Sequence, residues 1–292
     1  MRYASGGAFR KALEDRLRAQ SLRTGTPLVR LRKMVAFERF LARLIADRPK
    51  AWLLKGGLAL QWRLPERART TQDLDMLLVE PPEDLHAALV RAALLEMEDW
   101  FRYLVRPTRV RVRVAGGLRF SVRAILDGRP FESFHLDVGW GDPVVEPPEE
   151  LSAPSLLEFA EIAPVTMPCY PITQHIAEKV HAYTQPYASG QSSRVKDLVD
   201  IVLIGGMGAI DAATLREALQ TTFRASRTHE LPQALPDPPP SWAEVFRRLA
   251  HETELASDRL GVGIELARRF LDPVLQGRAQ GLWDPDGWRW LG

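Results

Sequence analysis

The texture of the sequence changes at Pro171, and that change limits the folds open to the chain. Up to residue 170 it mixes short apolar runs, turn signals and helical stripes; from Pro171 onward it carries helical periodicity alone. Such segregation predicts an α+β protein with two lobes and a cleft between them. Residues 1–170 are expected to form a lobe with a mixed sheet and flanking helices, and residues 171–292 a helical lobe. A chain of 292 residues is long enough to bury a core in each.

Residues 8–47 read as two helices: Leu13 and Leu17 are spaced by four in the first, and Met34, Phe37, Phe40, Leu41 and Leu44 lie near one stripe of the second. Gly25 and Pro27 break the chain between them. The apolar run 51–54 stops at Lys55-Gly56-Gly57, and 58–62 looks helical, so a strand, two glycines and a helix start follow one another. A strand is expected over 74–79 with Asp73 and Asp75 at its entry, then a helix over 83–97, a hairpin over 108–126 turning at Gly116-Gly117, and a strand over 134–138. The helical half divides into 172–184, 193–204, 211–221, 241–255 and 260–275, with the proline-rich 231–240 as an extended connector.

Composition excludes several classes. A single cysteine, Cys169, leaves no disulfide framework and no Cys-based zinc site, and points to a reducing cytoplasm. No apolar run is long enough to cross a bilayer, and the charged N-terminal stretch lacks the apolar centre of a secretory signal, so no membrane partner is expected. The formal charge is only +2, but just six of the 39 basic residues are lysine. Arginine suits bidentate phosphate contacts, while GC-rich codon usage gives the same ratio. His135, His175 and His181 are scattered without metal-ligand spacing, and no Ser-His or Cys-His arrangement stands out.

Asp73 and Asp75 are i and i+2 at a strand entry, so both carboxylates face one side. Their repulsion is relieved if a divalent cation sits between them, although solvated aspartates at a turn have the same spacing. Gly56-Gly57, between strand and helix, lets backbone N–H groups approach a phosphate. Asp137 lies inside an apolar strand (FHLDVGWGD) and needs a partner, which a shared metal or a hydrogen bond supplies. The helical half also offers Lys179, and further on Asp197 and Asp200 share a helix face at i, i+3, where Lys196 can pair with Asp200 at i, i+4.

Taken together, KGGLAL…TTQDLDMLL, HLDVGWGD, PITQHIAEKVHAYT and SRVKDLVD resemble the AbiEii family of nucleotidyltransferase toxins, which includes the MenT-type toxins and belongs to the DNA polymerase β superfamily. The resemblance covers most of the chain. It implies a polymerase-β-like lobe, an NTP substrate, Mg²⁺ (or Mn²⁺), a cognate antitoxin and a toxin–antitoxin or phage-defence setting. By resemblance, the phosphate-binding turn falls on Gly56 and Gly57, where this chain has glycine in place of the family's frequent Gly-Ser. The metal-binding carboxylates fall on Asp73 and Asp75, with Asp137 as the third. The phosphate-contacting lysine falls on Lys179, and the later essential aspartate on Asp200, or else Asp197. Lys55 and Lys196 flank these motifs as further cations for the nucleotide.

MenT-type relatives modify the 3′ acceptor end of tRNA, so tRNA is the acceptor the resemblance implies, with blocked translation and growth as the consequence. Arg109, Arg111 and Arg113 alternate with valines along the expected hairpin, and Arg119 and Arg123 follow on its return. Such a face suits RNA phosphates, and equally a solvated surface. Thr71, two residues before Asp73, matches a position that partners phosphorylate in some relatives. A protein or small-molecule hydroxyl as acceptor, and a non-catalytic nucleotide-binding module, are the alternatives.

Overall fold

A computed structural model describes residues 3–65, 67–111, 117–186 and 194–292. The chain divides into two compact units. One holds Met1–Glu66, Thr70–Gly141 and Glu149–Cys169; the other holds Arg67–Arg69, Asp142–Pro148 and Tyr170–Gly292.

The first unit opens with helices α1 (Gly6–Thr24) and α2 (Leu28–Asp47), separated by Gly25 in a left-handed conformation with φ of 71°. Then come β1 (Trp52–Lys55), α3 (Gly56–Arg63), β2 (Asp73–Leu78), α4 (Leu85–Ala93), β3 (Phe101–Arg111), β4 (Gly117–Leu126), β5 (Arg129–Trp140), β6 (Glu149–Ser152) and β7 (Thr166–Cys169). The seven strands form one mixed sheet in the order β3-β4-β5-β2-β1-β7-β6, with β2/β5 and β1/β7 parallel. Alternation decides its faces. Phe120, Val122, Phe134, Leu136, Leu74 and Met76 are buried in the core. Phe37 of α2 meets Phe134 edge-on with ring centroids 4.8 Å apart, and Phe40 lies 5.1 Å from Tyr103. The intervening residues of β4, β5 and β2 face the other way and carry the polar chemistry.

The hairpin begins earlier than the sequence suggested, at Phe101 rather than residue 108, because Phe101, Tyr103 and Val105 already alternate inward. The β3–β4 register shifts between Pro107 and Arg111, and β3 is an edge strand, where proline is tolerated. Helix α4 is shorter than expected, with Asp84 capping its start by accepting from the Ala87 N–H at 2.9 Å.

The second unit packs α5 (Ile172–Thr184), α6 (Val195–Gly205), α7 (Ala212–Ser226), α8 (Ala243–Glu252) and α9 (Leu260–Leu275). The start of the helix expected over 193–204, Ser193, lies outside the described residues. The connector 231–240 is pinned by Leu235, whose N–H donates to Asp272 at 2.9 Å while its carbonyl accepts from Arg268. A terminal hairpin, β8 (Leu282–Asp284) with β9 (Arg289–Leu291), packs Trp283 and Trp290 on Phe270. No helix among the described residues is long and apolar enough to cross a membrane.

Candidate active site

The parallel pairing of β2 with β5 sets Asp73 opposite His135 and Asp75 opposite Asp137. Antiparallel neighbours extend the second row: Lys55 is opposite Asp75, and Arg119 is opposite Asp137. Lys55, Asp75, Asp137 and Arg119 therefore form one line across four adjacent strands, on the face opposite the core, with Asp73 and His135 in the next row. The His135 Nδ1 lies 3.3 Å from an Asp73 oxygen.

The turn before α3 is shaped by Gly56. Its φ is +67°, and a Cβ added there would collide with the Asp75 carboxylate. Only glycine satisfies both conditions. The arrangement is the expected one of strand, two glycines and helix start, with Gly57 buried in the first turn of α3. Asp73 and Asp75 offer hard oxygen donors on one side of the sheet. That set fits Mg²⁺, which is commonly held by one or two carboxylates and completed by substrate phosphates and water. Among the described residues, no cluster of three or more acidic, His or Cys side chains is arranged to hold a metal by itself.

The Asp137 carboxylate is hydrogen-bonded to Arg119 of the adjacent strand. Arg119 Nε donates to one of its oxygens at 2.7 Å and Nη2 to the other at 2.6 Å, and the same Nη2 is 3.8 Å from Asp73. Hydrogen bonding to Asp137 raises the Arg119 guanidinium above its ordinary value. Of the hairpin arginines, Arg123 is exposed, the strand β3 includes Arg109 and Arg111, and Arg113 lies outside the described residues. Arg102 and Arg106 are exposed on β3, opposite Ile125 and Ser121. They belong to the same sheet face as Arg123 and were missed because the hairpin starts earlier than its glycine turn suggested.

In the second unit Asp200 is fully buried between two cations. Lys179 Nζ donates to it at 2.5 Å, and Arg69 binds it bidentately at 3.0 and 2.9 Å. Lys179 also lies 3.6 Å from Asp197, which Arg194 approaches at 3.7 Å. Burial alone would raise both carboxyls. For Asp200 the adjacent Lys179 and Arg69 outweigh it and hold the group below the ordinary carboxylate value. For Asp197 burial prevails over Lys179 and Arg194, and the group is raised. Lys196 is exposed, and the cations on Asp200 come from α5 and from Arg69. Arg69 stands in a polar loop four residues before Asp73 and has no periodicity to mark it. The buried carboxylate at Asp200 was the only sign that a second cation was needed.

A family model described as nucleotidyl transferase AbiEii toxin, type IV toxin–antitoxin system, matches residues 39–280. The chain belongs to the AbiEii nucleotidyltransferase toxin family. The fold is that of MenT4, a nucleotidyltransferase toxin from Mycobacterium tuberculosis H37Rv, with a TM-score of 0.56 at 19% identity over 91% of this chain and 98% of that one. Weaker likenesses are JHP933 from Helicobacter pylori (TM-score 0.47, 12% identity, 84% of this chain and 94% of that one) and a putative nucleotidyltransferase from H. pylori (0.45, 12%, 85% and 99%). No curated protein matches the sequence. As an AbiEii member the chain is a nucleotidyltransferase, and its system type implies an NTP substrate and a cognate antitoxin.

Proposed function

We propose that this AbiEii protein transfers a nucleotidyl group from an NTP to the 3′ end of tRNA in a Mg²⁺-dependent reaction, and so blocks translation and growth. The observation that supports this reading most is the sheet face itself. Asp73 and Asp75 of β2 share the sheet face with three exposed arginines further along the sheet, Arg123 of β4 and Arg102 and Arg106 of β3. A row of cations leading to a carboxylate pair suits a polyanionic acceptor better than a neutral small molecule.

Mg²⁺ held by Asp73 and Asp75 supplies charge neutralisation on the triphosphate. The Gly56-Gly57 turn lets the N–H groups opening α3 meet phosphate oxygens, and Lys55 adds a cation at the end of β1. By the family resemblance Lys179 is the cation that contacts phosphate; Asp200 holds it and Arg69 in place, and Asp197 lies 3.6 Å from Lys179. Lys196 is solvent-facing and serves as a peripheral charge. In the reaction the acceptor hydroxyl oxygen bonds to the α-phosphorus, the α–β bridging P–O bond breaks, pyrophosphate takes the electron pair, and the hydroxyl proton passes to solvent.

Reversing Arg102, Arg106 and Arg123 to Glu together is expected to weaken tRNA binding at least tenfold in a gel-shift titration while NTP affinity stays within about threefold. Unchanged tRNA affinity would remove the sheet face as the acceptor surface and favour a protein or small-molecule hydroxyl. Arg109 and Arg111 of β3, together with Arg113, form a second set of reversals. For control by the antitoxin, Thr71 is the proposed point: it is buried and its hydroxyl donates to the Asp73 carbonyl at 3.1 Å. A phosphate there breaks that bond and puts negative charge beside the carboxylates. Peptide mass spectrometry after co-expression with the antitoxin reads this directly, and an unmodified 70–71 peptide would remove it.

A further inference from the structure

Three charged groups meet where a third metal-binding carboxylate is expected. The Asp137 side chain is only 12% exposed, and both of its oxygens accept from the Arg119 fork at 2.7 and 2.6 Å. The guanidinium reaches beyond it to within 3.8 Å of Asp73. A divalent cation bound by Asp137 would need the oxygens this fork already holds, at roughly 2.0–2.1 Å for Mg²⁺. It would also have to expel a positive charge tethered to the neighbouring strand in directly opposed register. Two of the five guanidinium N–H groups bind Asp137, which leaves others to bind a second anion.

The charges along the row support the same division. Lys55 and Arg119 stand at its ends, Asp75 and Asp137 between them, and Asp73 adds one further negative charge beside Arg119. The cluster thus carries one negative charge in excess, two cations against three carboxylates. One divalent cation at Asp73 and Asp75 makes it net positive, as a triphosphate requires. Bidentate, planar contact is the way arginine recognises tetrahedral phosphate oxygens.

We propose that Asp137 is a positioning residue for Arg119, that Arg119 contacts the phosphates of the NTP, and that the site takes a single divalent cation through Asp73 and Asp75. This rests on the reading of Asp73 and Asp75 as the metal-holding pair given above. It replaces the expectation that Asp137 completes a three-carboxylate metal site.

The test is a Mn²⁺ titration of the full chain followed by electron paramagnetic resonance, with an α,β-methylene analogue of each NTP, beside a fluorescence titration of the analogue. Expected are one Mn²⁺ per chain in the wild type, loss of Mn²⁺ in Asp75→Asn, and Mn²⁺ affinity within about threefold of wild type in Asp137→Asn. Analogue affinity is expected to fall at least tenfold in Asp137→Asn and in Arg119→Ala, with the double variant no weaker than the weaker single one. That non-additivity marks one acting through the other. Two Mn²⁺ per chain in the wild type, one of them lost in Asp137→Asn, would overturn the proposal and leave the Asp73–Asp75 reading standing. Retention of Mn²⁺ in Asp75→Asn would overturn both. Arg119→Lys, which keeps the charge without the fork, is expected to recover part of the analogue affinity if Arg119→Ala also lowers the melting temperature; no recovery by a folded Arg119→Lys counts against the phosphate contact.

Discussion

At the scale of single residues, Gly56 carries the tightest constraint. Its positive φ costs an alanine about 1–2 kcal/mol, and the added methyl runs into the Asp75 carboxylate. Gly56→Ala is therefore expected to leave a folded protein whose transfer rate falls on the order of 100-fold, the usual penalty for displacing a reacting group by an ångström. An unchanged rate would show that Asp75 has no fixed geometry to lose. Glu38 of α2 shows a second kind of constraint. Burial pushes its carboxyl up to about 7, against the opposing pull of Arg39 and the Val165 backbone. The folded state then holds a proton that the unfolded chain releases near 4.5, so stability is lost as pH rises from that value towards 7. Glu38→Gln should abolish this loss, gaining roughly 3 kcal/mol over the wild type at pH 8 and little at pH 4.5 in paired melts. Equal gains at both pH values would contradict the assignment. Asp73, Asp75 and Gly56 could be singled out as candidates from their spacing, and Lys179 and Asp200 through the family resemblance. Arg69 and the pairing of Arg119 with Asp137 could not, because they depend on which strands and segments become neighbours.

At the scale of elements, α2 is held to the sheet by charge as well as by its phenylalanines. Arg43 is fully buried, gives both terminal nitrogens to Asp99 at 2.9 and 2.7 Å, and donates to the Phe101 carbonyl; Arg39 adds a bond to Asp99 at 2.7 Å. Burial would raise Asp99, but Arg43 and Arg39 outweigh it and keep the carboxyl below its ordinary value. Its stabilising contribution is thus full above the ordinary carboxylate range and is lost in acid. Asp99→Asn leaves two buried guanidiniums facing a neutral amide and should cost about 3–5 kcal/mol in chemical denaturation at neutral pH; a loss under 1 kcal/mol would mean the cluster is solvated. Helical stripes and the strand–glycine–helix turn were legible because their periodicity is local. The start of β3 was not, since the glycine turn drew the hairpin to residue 108 and left the alternation at Phe101–Arg106 unassigned. The terminal hairpin was missed although Asp-Pro-Asp-Gly between tryptophan-bearing strands announces a turn.

At the scale of the whole molecule, the change in texture at Pro171 foretold the segregation of a mixed sheet from a helical set, and the AbiEii match covers residues 39–280 of both. Each unit organises its own charges: carboxylates with Arg119 on the sheet face of one, and Asp200 with Lys179 and Arg69 in the other. The central claim is that these residues move a nucleotidyl group rather than a phosphoryl group, and that Asp73 is required. The most direct measurement incubates the purified protein with total tRNA, Mg²⁺ and each NTP labelled with ³²P at either the α- or the γ-position, beside Asp73→Ala. The account predicts α-label on tRNA with at least one NTP, γ-label released only as pyrophosphate, and no label on tRNA in the variant. Transfer of γ-label to tRNA, or α-labelling undiminished in Asp73→Ala, would contradict it.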